Sequence, residues 1–297
     1  MTNALTGLPA TGKLYVVATP IGNLGDLSPR ACAVLSDCAL IAAEDTRHTG
    51  ILLKAFGIGT PQVSLHDHNE EMRAVEIIAR LREGKSIALV SDAGTPAISD
   101  PGFELVRAVA GAGIEIVAVP GPCAAIAALS IGALPTDRFC FEGFLPARGA
   151  ARRQRLKSLE RELRTLVIYE SPHRVRETLE DCATAFGAAR AATVVREATK
   201  MHETTYRGSL LELLSKSKSE ADFSRGEIVL LIGGMPQSSA SGDVDSEAKA
   251  ELDKVLGALL AELPLKQAAR LAAQITGARD NEAYKRALFL KEQSASH

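Results

Sequence analysis

The sequence contains no tryptophan, and aromatic residues make up only 4% of its 297 residues. Aromatic stacking is therefore not expected to be the main way in which this protein binds a ligand. The formal net charge is −2, so no overall electrostatic field attracts the protein to nucleic acid. Any affinity for RNA or for a membrane surface must come from local patches of charge.

The chain also lacks CxxC pairs and apolar runs longer than a strand. The absence of long apolar runs predicts that no helix spans a membrane. The first residues, MTNALTGLPATGK, do not show the basic and then apolar segments of a signal peptide. Most of the five cysteines have apolar neighbours, which is typical of reduced core thiols. We therefore expect a cytoplasmic protein with no membrane partner.

Three common kinds of site have little support in the sequence. The segment GLPATGKL resembles a phosphate-binding loop, but Leu14 stands where a hydroxyl residue would bind magnesium. His66 and His68 have the spacing of metal ligands, but no third ligand follows in register, so we predict no metal site. A hydrolase that used these histidines would need a nucleophile, and no GxSxG motif accompanies them.

Short apolar runs alternate with amphipathic runs from Leu14 onward, which predicts an α/β fold. Several predicted strands are apolar on successive residues, as in parallel sheets that helices cover on both faces. We predict an N-terminal α/β domain with a parallel sheet over residues 13–135. A second α/β domain over residues 136–235 should be more antiparallel, because the connections between its elements are shorter. A Gly/Ser/Pro linker then leads to a helical, helix-turn-helix-like extension over residues 246–292.

Two turns that contain proline predict where helices begin. Ser28-Pro29 and Asp100-Pro101 each place a capping side chain before a proline that suits the first helical position. We therefore expect one helix to begin at each of these prolines, and a left-handed glycine cap at Gly277 to end a C-terminal helix.

Three loops rich in glycine and proline follow predicted strands of the first domain, where ligands bind in open α/β sheets. The first contains Pro20 and Gly22, which let the backbone approach a ligand closely. The next, SDAGTPAISDPG at residues 91–102, combines small residues with Asp92. The third, VPGPCAAIAAL, opens onto an alanine-rich helix. Together the loops predict a rigid cavity that suits an adenosine-like or amino-acid-bearing cofactor.

Polar clusters end the second and third predicted strands. AAEDTRHTG supplies Asp45 and Arg47, and SLHDHNE supplies His66 and His68. Helix N-termini also collect acidic residues, but two neighbouring clusters exceed what capping requires. We interpret them as a rim that faces the substrate, with Arg47 and His68 as candidate contacts.

A basic segment, ARGAARRQRLKSLERELR, lies near the start of the second domain. Its first arginines have no acidic neighbours in the sequence, and guanidinium groups suit phosphate oxygens. Solvated helix faces are often equally basic, but this segment is the best candidate for contacts to an RNA backbone. The candidate residues are Arg148, Arg152, Arg153 and Arg155, together with Arg174 from YESPHR.

Taken together, these motifs resemble the tetrapyrrole-methylase-fold (class III) methyltransferases, and within them the enzymes that act on small-subunit ribosomal RNA. The resemblance rests on YVVATPIGNLGDLSPRA, AAEDTRHTG, LHDHNE, ALVSDAGTPAISDPG, VPGPCAAIAALSIGALPTDRFCFEGFLP, YESPHR, REATKMHE and GEIVLLIGG. It implies two α/β domains with S-adenosylmethionine in the cleft between them, a small C-terminal helical domain, and a homodimer. The implied reaction methylates the ribose 2′-oxygen of a cytidine in the decoding region. The expected partner is small-subunit rRNA or the assembled small ribosomal subunit.

The resemblance also implies cofactor contacts. Where relatives have a GGDP turn, this chain has Ala93-Gly94-Thr95-Pro96, a departure that disfavours tetrapyrrole chemistry rather than methyl transfer. By motif register, contacts are expected at Ala93, Gly94, Thr95, Ile98, Cys123, Ala124, Glu170 and Ala198. The loop and strand-end features add Pro20, Gly22 and Asp92 to the candidates.

A ribose hydroxyl becomes a good nucleophile only when its proton leaves, so a group that takes the proton or stabilises the charge is expected. Our hypotheses are Lys200 or Glu197 from REATKMHE, and Asp45 or His66 from the strand-end clusters. Two other functions fit the same residues. One is a tetrapyrrole (corrin or porphyrin) C-methyltransferase, whose substrate carboxylates would also bind arginines, and the other is a non-catalytic RNA-binding assembly factor.

Overall fold

The computed structural model describes residues 11–66, 69–236, 249 and 252–294, with side chains up to residue 291. The chain divides into two compact units after Gly234. Within the described residues, no helix is both long enough and apolar enough to cross a lipid bilayer.

The first unit begins with a five-stranded parallel sheet. Its strands are β1 (Leu14–Val17), β2 (Leu40–Ala43), β3 (Gln62–Ser64), β4 (Ile87–Val90) and β5 (Ile116–Val119). A helix follows each strand: α1 (Pro29–Asp37), α2 (Thr46–Ala55), α3 (Glu70–Arg82), α4 (Phe103–Gly111) and α5 (Ala124–Ile131). The strand order is β3-β2-β4-β1-β5, and every pair is parallel.

Both faces of this sheet are buried, which explains why its strands are apolar on successive residues. In β4, Ile87 and Leu89 pack into the core on one face, and Ala88 and Val90 pack into the core on the other. The carboxyl ends of the five strands meet at one edge of the sheet. The loops that carry the sequence motifs therefore come together there.

The same unit contains a second, mixed sheet. Its strands are β6 (Phe139–Phe144), β7 (Thr165–Glu170), β8 (Ala191–Arg196), β9 (Thr204–Ser209) and β10 (Ile228–Ile232). Three helices accompany them: α6 (Gly149–Ser158), α7 (Val175–Phe186) and α8 (Leu210–Ser219). The order is β6-β7-β10-β8-β9, in which only β6 and β7 are parallel. The two sheets confirm the predicted α/β class and the more antiparallel second half.

Helix α5 connects the two sheets. It follows β5 of the first sheet, and its buried residues Ala125, Ala128 and Leu129 pack against the second sheet, beside Val167 and Leu231. This packing brings the loop after β5 against the end of β7. The position of α5 therefore lets loops of the first sheet face strands of the second.

One of the two predicted helix starts is correct. Pro29 is the first residue of α1, and the Ser28 hydroxyl accepts a hydrogen bond from the Ala31 N–H at 3.0 Å. The prediction for Asp100-Pro101 is wrong, because α4 begins at Phe103 and Gly102 precedes it. Gly102 has a φ of 126°, and a Cβ there would lie 2.9 Å from the Leu89 side chain. Asp100 is thus part of an irregular loop and does not cap a helix.

The second unit is helical, as predicted. Its helices are α9 (described over 252–260), α10 (Leu265–Thr276) and α11 (Asp280–Ser294). Small residues such as Ala272 and Ala287 fill its core and let the helices approach closely. Arg286 forms a two-pronged ion pair with Asp253, at 2.5 and 2.6 Å. Gly277 ends α10 with a φ of 72°, the predicted left-handed cap.

Candidate cofactor site and active site

A cavity of about 340 Å³ lies within the first unit, where the loops after β4 and β5 face β7, β8 and β10. Its volume is typical of a small-molecule site. Eight of the eleven residues predicted to bind a cofactor line this cavity. They are Ala93, Gly94, Thr95, Ile98, Cys123, Ala124, Glu170 and Ala198.

The other three predicted cofactor residues support the rim instead of lining the cavity. The loop of Pro20 pairs with the 91–102 loop, because the N–H and C=O of Thr19 exchange hydrogen bonds with Gly94 at 2.8 and 3.1 Å. Gly22 has a φ of 145°, and a Cβ there would lie 2.3 Å from Cγ of Lys200. The loop after β1 is therefore packed between two loops that face the cavity.

Asp92 connects the ends of two strands. Its carboxylate accepts a hydrogen bond from the Asp45 N–H at 3.0 Å, and its own N–H donates to the Glu44 carboxylate at 3.3 Å. Asp92 therefore fixes the end of β4 to the end of β2, which is a structural role.

The loop at residues 91–102 is held in a strained conformation. The Thr95 hydroxyl donates to the Pro122 carbonyl at 3.1 Å, which ties this loop to the loop after β5. Ala97 and Ser99 have φ values of 67° and 64°, a region that side chains other than glycine rarely adopt. Such strain concentrates at functional sites, where the surrounding structure enforces it.

Glu170 ends β7 with a fully buried carboxylate. It accepts hydrogen bonds from the Thr178 hydroxyl at 2.6 Å and the Ser171 N–H at 2.8 Å, and Nε of Arg174 lies 3.4 Å away. Arg174 also donates to the Leu145 carbonyl at 2.8 Å. The Arg174 guanidinium therefore neutralises a buried charge and holds the turn after β6, which disfavours its predicted contact to RNA.

The loop after β8 supplies Ala198 to the cavity and holds two of the proposed proton acceptors. Lys200 Nζ lies 2.9 Å from Glu197 and 3.3 Å from Glu227. Glu197 and Thr199 have φ values of 53° and 67°. This loop is therefore strained as well, and its charges face each other.

The ionisation of this pair argues against a proton-accepting role. Burial alone would lower the pKa of Lys200, but its hydrogen bond with Glu197 and the charges of Glu227 and Glu197 outweigh burial and raise it. Burial would raise the pKa of Glu197, but the hydrogen bonds from Lys200 and from the Glu227 N–H lower it. An ammonium group has no free electron pair, so Lys200 is suited to stabilise negative charge.

The other two candidate bases lie outside the cavity lining. Asp45 caps α2, and hydrogen bonds from the Arg47 side chain and N–H lower the pKa of Asp45 below its usual range. His66 is exposed, and its backbone N–H donates to the Asn69 side-chain oxygen at 2.9 Å. His68 lies outside the described residues.

The basic segment forms α6, and its arginines differ in their surroundings. Arg152 is 3% exposed, with its Nε 2.7 Å from Asp181 and Nη2 3.3 Å from Glu177. Its burial and these ion pairs disfavour the predicted RNA contact of Arg152, since α7 supplies acidic partners that lie distant in the sequence. Arg153 and Arg155 are about half exposed, and each lies near one carboxylate.

Arg148 precedes the first residue of α6 and is exposed. Arg47 is also exposed, although it pairs with Asp45 at 2.6 Å. A surface ion pair of this kind is weak, so the contact with Asp45 does not prevent Arg47 from binding a phosphate. The exposed guanidinium of Arg148 is suited to the same contact.

The structure adds cavity residues that the sequence did not mark as cofactor or catalytic candidates, above all Asp100, Phe144 and Tyr169. The Tyr169 hydroxyl accepts a hydrogen bond from the Ala125 N–H at 3.1 Å, and burial raises the pKa of Tyr169 above its usual range. Tyr169 shares one face of β7 with Val167, so period-two alternation was a signal that could have found it. The sequence suggests only a helix-capping role for Asp100 and no catalytic one.

The side chains of the described residues give no support for a metal site. Within the described residues, no group of three or more His, Cys, Asp and Glu residues has an arrangement that could hold a metal ion.

The chain is similar to known proteins over most of its length. It is 51% identical to the ribosomal RNA small subunit methyltransferase I of Escherichia coli O157:H7, over 93% of this chain and 95% of that protein. It is 52% identical to the protein of the same name in Pseudomonas aeruginosa PAO1, over 94% and 98%. Among solved structures, uroporphyrin-III C-methyltransferase from Thermus thermophilus complexed with S-adenosylhomocysteine covers 75% of this chain and 97% of its own, with 19% identity and a TM-score of 0.52.

Family models assign both parts of the chain. The model of the tetrapyrrole (corrin/porphyrin) methylases matches residues 13–214, and that of the RsmI C-terminal HTH domain matches residues 246–291. With more than half of its length matched and close relatives across it, the chain belongs to the tetrapyrrole (corrin/porphyrin) methylase family of S-adenosylmethionine-dependent methyltransferases.

Proposed function

We propose that this protein transfers a methyl group from S-adenosylmethionine to the ribose 2′-oxygen of a cytidine in the decoding region of small-subunit rRNA. The observation that carries the proposal is identity above 50%, over more than 90% of the chain, to proteins named ribosomal RNA small subunit methyltransferase I. The cavity supports it, because it gathers the motifs of both sheets around one space of suitable size.

The residues around the cavity suit this cofactor. Alanine or glycine at five lining positions leaves room for a flat ring and exposes main-chain groups to it. Apolar side chains on β8 and β10, Val195 and Ile228, form an opposing wall, as is usual in small-molecule sites. The five small residues are Ala93, Gly94, Ala124, Ala198 and Gly226.

When bound, S-adenosylmethionine supplies an activated methyl carbon, so the protein must supply alignment and proton removal. The hydrogen bonds from Thr95 and Thr19 fix the loops that would hold the cofactor. The charged Lys200 lies 3.3 Å from Glu227 at the edge of this cavity and is suited to stabilise the developing negative charge on the ribose oxygen.

For the RNA we propose contacts to phosphate from Arg47, Arg148, Arg153 and Arg155, which are exposed or half exposed. Neutralising phosphates makes binding dependent on salt. Replacing Arg148 by alanine should reduce the slope of the log binding constant against log salt concentration by about 1, the value for one phosphate contact. Arg152→Ala is the contrasting variant, because it should lower stability by removing the buried guanidinium that binds Asp181 at 2.7 Å, while the salt dependence stays the same.

A homodimer and a cytoplasmic location also belong to this proposal. The family resemblance supports the dimer. The mass of one chain is 31.4 kDa, so light scattering on the purified protein distinguishes a monomer from a dimer.

The test uses small ribosomal subunits from a strain that lacks this gene. The protein is incubated with these subunits and tritiated S-adenosylmethionine, and alkali-resistant dinucleotides of the rRNA are mapped. Label in one alkali-resistant cytidine step is the expected result, since a 2′-O-methyl group blocks alkaline cleavage. The variant Ala124→Leu, which fills the cavity, should abolish the label, whereas Ala110→Leu on the exposed surface of α4 should not.

Absence of label in both subunits and free rRNA would overturn the proposal. If cofactor binding is then intact and added porphyrin changes its visible absorbance, a tetrapyrrole methyltransferase is indicated. If RNA binds without turnover, the protein is an RNA-binding assembly factor.

A further inference from the structure

Three acidic residues line the cavity, and they differ in what surrounds their carboxylates. Glu170 accepts two hydrogen bonds and faces Arg174, so its charge is already neutralised. Glu227 is 73% exposed and lies 3.3 Å from Lys200. Asp100 differs from both, because the charges that act on it are negative.

The groups around Asp100 come from three strands. Glu44 at the end of β2 and Asp92 at the end of β4 are the charged neighbours, and Ser91 donates a hydrogen bond. Tyr169 of β7 faces it from the second sheet. Burial raises the pKa of Asp100 to about 6 against the effect of Ser91, and the charges of Glu44 and Asp92 add to the rise. A carboxyl group of this kind is ionised near neutral pH and still binds a proton readily, which suits a general base.

The backbone holds Asp100 in place. Ser99, the preceding residue, has a φ of 64°. A Cβ on Gly143 of β6 would lie 2.9 Å from the Ser99 hydroxyl, so the loop packs tightly against the second sheet. The strained loop therefore presents Asp100 to the cavity from a fixed position, which catalysis by proton transfer requires.

The four residues suggested by the sequence are less suited to accept a proton. None of them lines the cavity. The pKa of Lys200 is raised by Glu197 and Glu227, and those of Glu197 and Asp45 are lowered by their hydrogen bonds, so the carboxylates are weaker bases than usual. Asp100 is the acidic residue that combines a position in the cavity with a raised proton affinity.

From this arrangement we propose that Asp100 is the general base that accepts the proton of the ribose hydroxyl. In the step, the O–H proton passes to the Asp100 carboxylate and the oxygen electron pair forms the new O–CH₃ bond. The S–CH₃ bond breaks with its electron pair left on sulfur, so the sulfonium becomes a neutral thioether. The proton on Asp100 then passes to water. This inference rests on the proposed function, because it requires a hydroxyl substrate.

The test compares wild-type protein with Asp100→Asn, which keeps the shape of the side chain and removes its basicity. Asp137→Asn is the matched control, because the side chain of Asp137 is 79% exposed and lies outside the cavity. Four quantities are measured: kcat, KM for small subunits, the Kd of S-adenosylmethionine by calorimetry, and the pH titration of ¹³C-labelled aspartate carboxyl groups by NMR.

We expect Asp100→Asn to lower kcat by roughly 100-fold or more, with KM and the cofactor Kd within about twofold of wild type. The wild-type rate should rise with pH through an apparent pKa near 6, and this limb should be missing from the residual activity of the variant. The NMR spectrum should contain one carboxyl group that titrates near pH 6 and is absent from Asp100→Asn. Retained cofactor binding also demonstrates that the variant is folded.

Three outcomes would overturn the inference. The first is a kcat within about threefold of wild type, and the second is a pH limb that persists in the variant. The third is a weaker cofactor Kd with an unchanged kcat at saturation, which would make Asp100 a binding residue. Wild-type protein that methylates no rRNA would instead remove the proposed function, and this inference with it.

Discussion

Two strained loops face the same cavity, one after β4 at residues 91–102 and one after β8 at residues 197–203. Each contains two non-glycine residues with positive φ, Ala97 and Ser99 in the first, and Glu197 and Thr199 in the second. Both loops therefore contain the same left-handed backbone strain, but their charges are arranged in opposite ways. In the second loop Glu197 and Lys200 pair with each other, whereas in the first Asp100 is surrounded by negative charge.

The difference distinguishes charges that stabilise the fold from charges that can take part in proton transfer. A paired charge stabilises the loop that carries it, and its pKa shifts toward the ionised form. A carboxylate beside like charges destabilises the fold when it is ionised, and its pKa shifts toward neutral pH, where it can exchange a proton. Functional residues commonly have such a cost in stability. The comparison thus indicates that the loop after β8 keeps Lys200 charged and in place through its partner Glu197, whereas Asp100 in the loop after β4 is the group that exchanges a proton.

The largest effect is expected where both loops contribute to one ligand site. Ala93→Leu and Ala198→Leu each place a larger side chain in the cavity, one from each loop. We expect each to weaken binding of S-adenosylmethionine at least ~100-fold, or about 2.7 kcal/mol, as measured by calorimetry. Ala110→Leu is the control, on the exposed side of α4. If only one of the two variants lost binding, the two loops would not share the ligand.

The second prediction removes the paired charge. Glu197→Gln weakens the hydrogen bonds from Lys200 and from the Glu227 N–H, at 2.9 and 2.8 Å, and should lower the free energy of unfolding by about 2 kcal/mol. Because the pKa of Glu197 is lowered in the folded protein, its contribution is present above pH 4.5, its ordinary pKa. The contribution disappears as the pH falls through the folded pKa. Urea unfolding at several pH values measures this, with exposed Glu160→Gln as the control.

The third prediction is a variant that is more stable than wild type near neutral pH, in contrast to Glu197→Gln. The pKa of Asp100 is about 6 in the folded protein against 3.8 ordinarily, so wild type loses stability relative to Asp100→Asn as the pH rises from about 4 to 6. Above pH 6 the variant should be more stable by about 1–2 kcal/mol, after allowance for solvent screening of the shift. Below pH 4 the difference should vanish. A variant that is less stable at pH 7.5, in the same urea titrations, would contradict the view that Asp100 lacks a stabilising partner charge.

Much of this arrangement follows from the sequence. Runs of apolar residues predict the parallel sheet because both of its faces are buried, and Ser28-Pro29 predicts the start of α1 through local capping alone. The loop motifs predict eight cavity residues, and six of them follow β4 or β5, where the parallel strands end at a common edge. Local pattern and family motif are sufficient for these features.

Other features depend on contacts between distant segments. Arg152 has no acidic neighbour in the sequence, but α7 places Asp181 against it and buries it. Pro101 suits a helix start by itself, yet the positive φ of Gly102 moves the start to Phe103. Burial is the main cause of the raised pKa of Asp100, and the charge of Glu44, which lies two strand ends away along the chain, adds to it. Such properties arise only from tertiary packing, and a single sequence does not display them.

The smallest predicted effect is a change in stability that tests the left-handed backbone strain shared by the two loops. Ala97→Gly and Thr199→Gly relieve a left-handed conformation that costs a side chain about 1–2 kcal/mol, but glycine gives back about 0.5–1 kcal/mol in chain entropy. We therefore expect the free energy of unfolding of each variant to be about 0.5 kcal/mol higher than that of wild type. Ala108→Gly inside α4 is the control with the opposite sign, with a loss of about 1 kcal/mol. Equal gains in the two loops would establish that they share their strain, so that only their charges distinguish them. A gain confined to one loop would contradict this, since the strain would then differ between loops with nearly the same φ values.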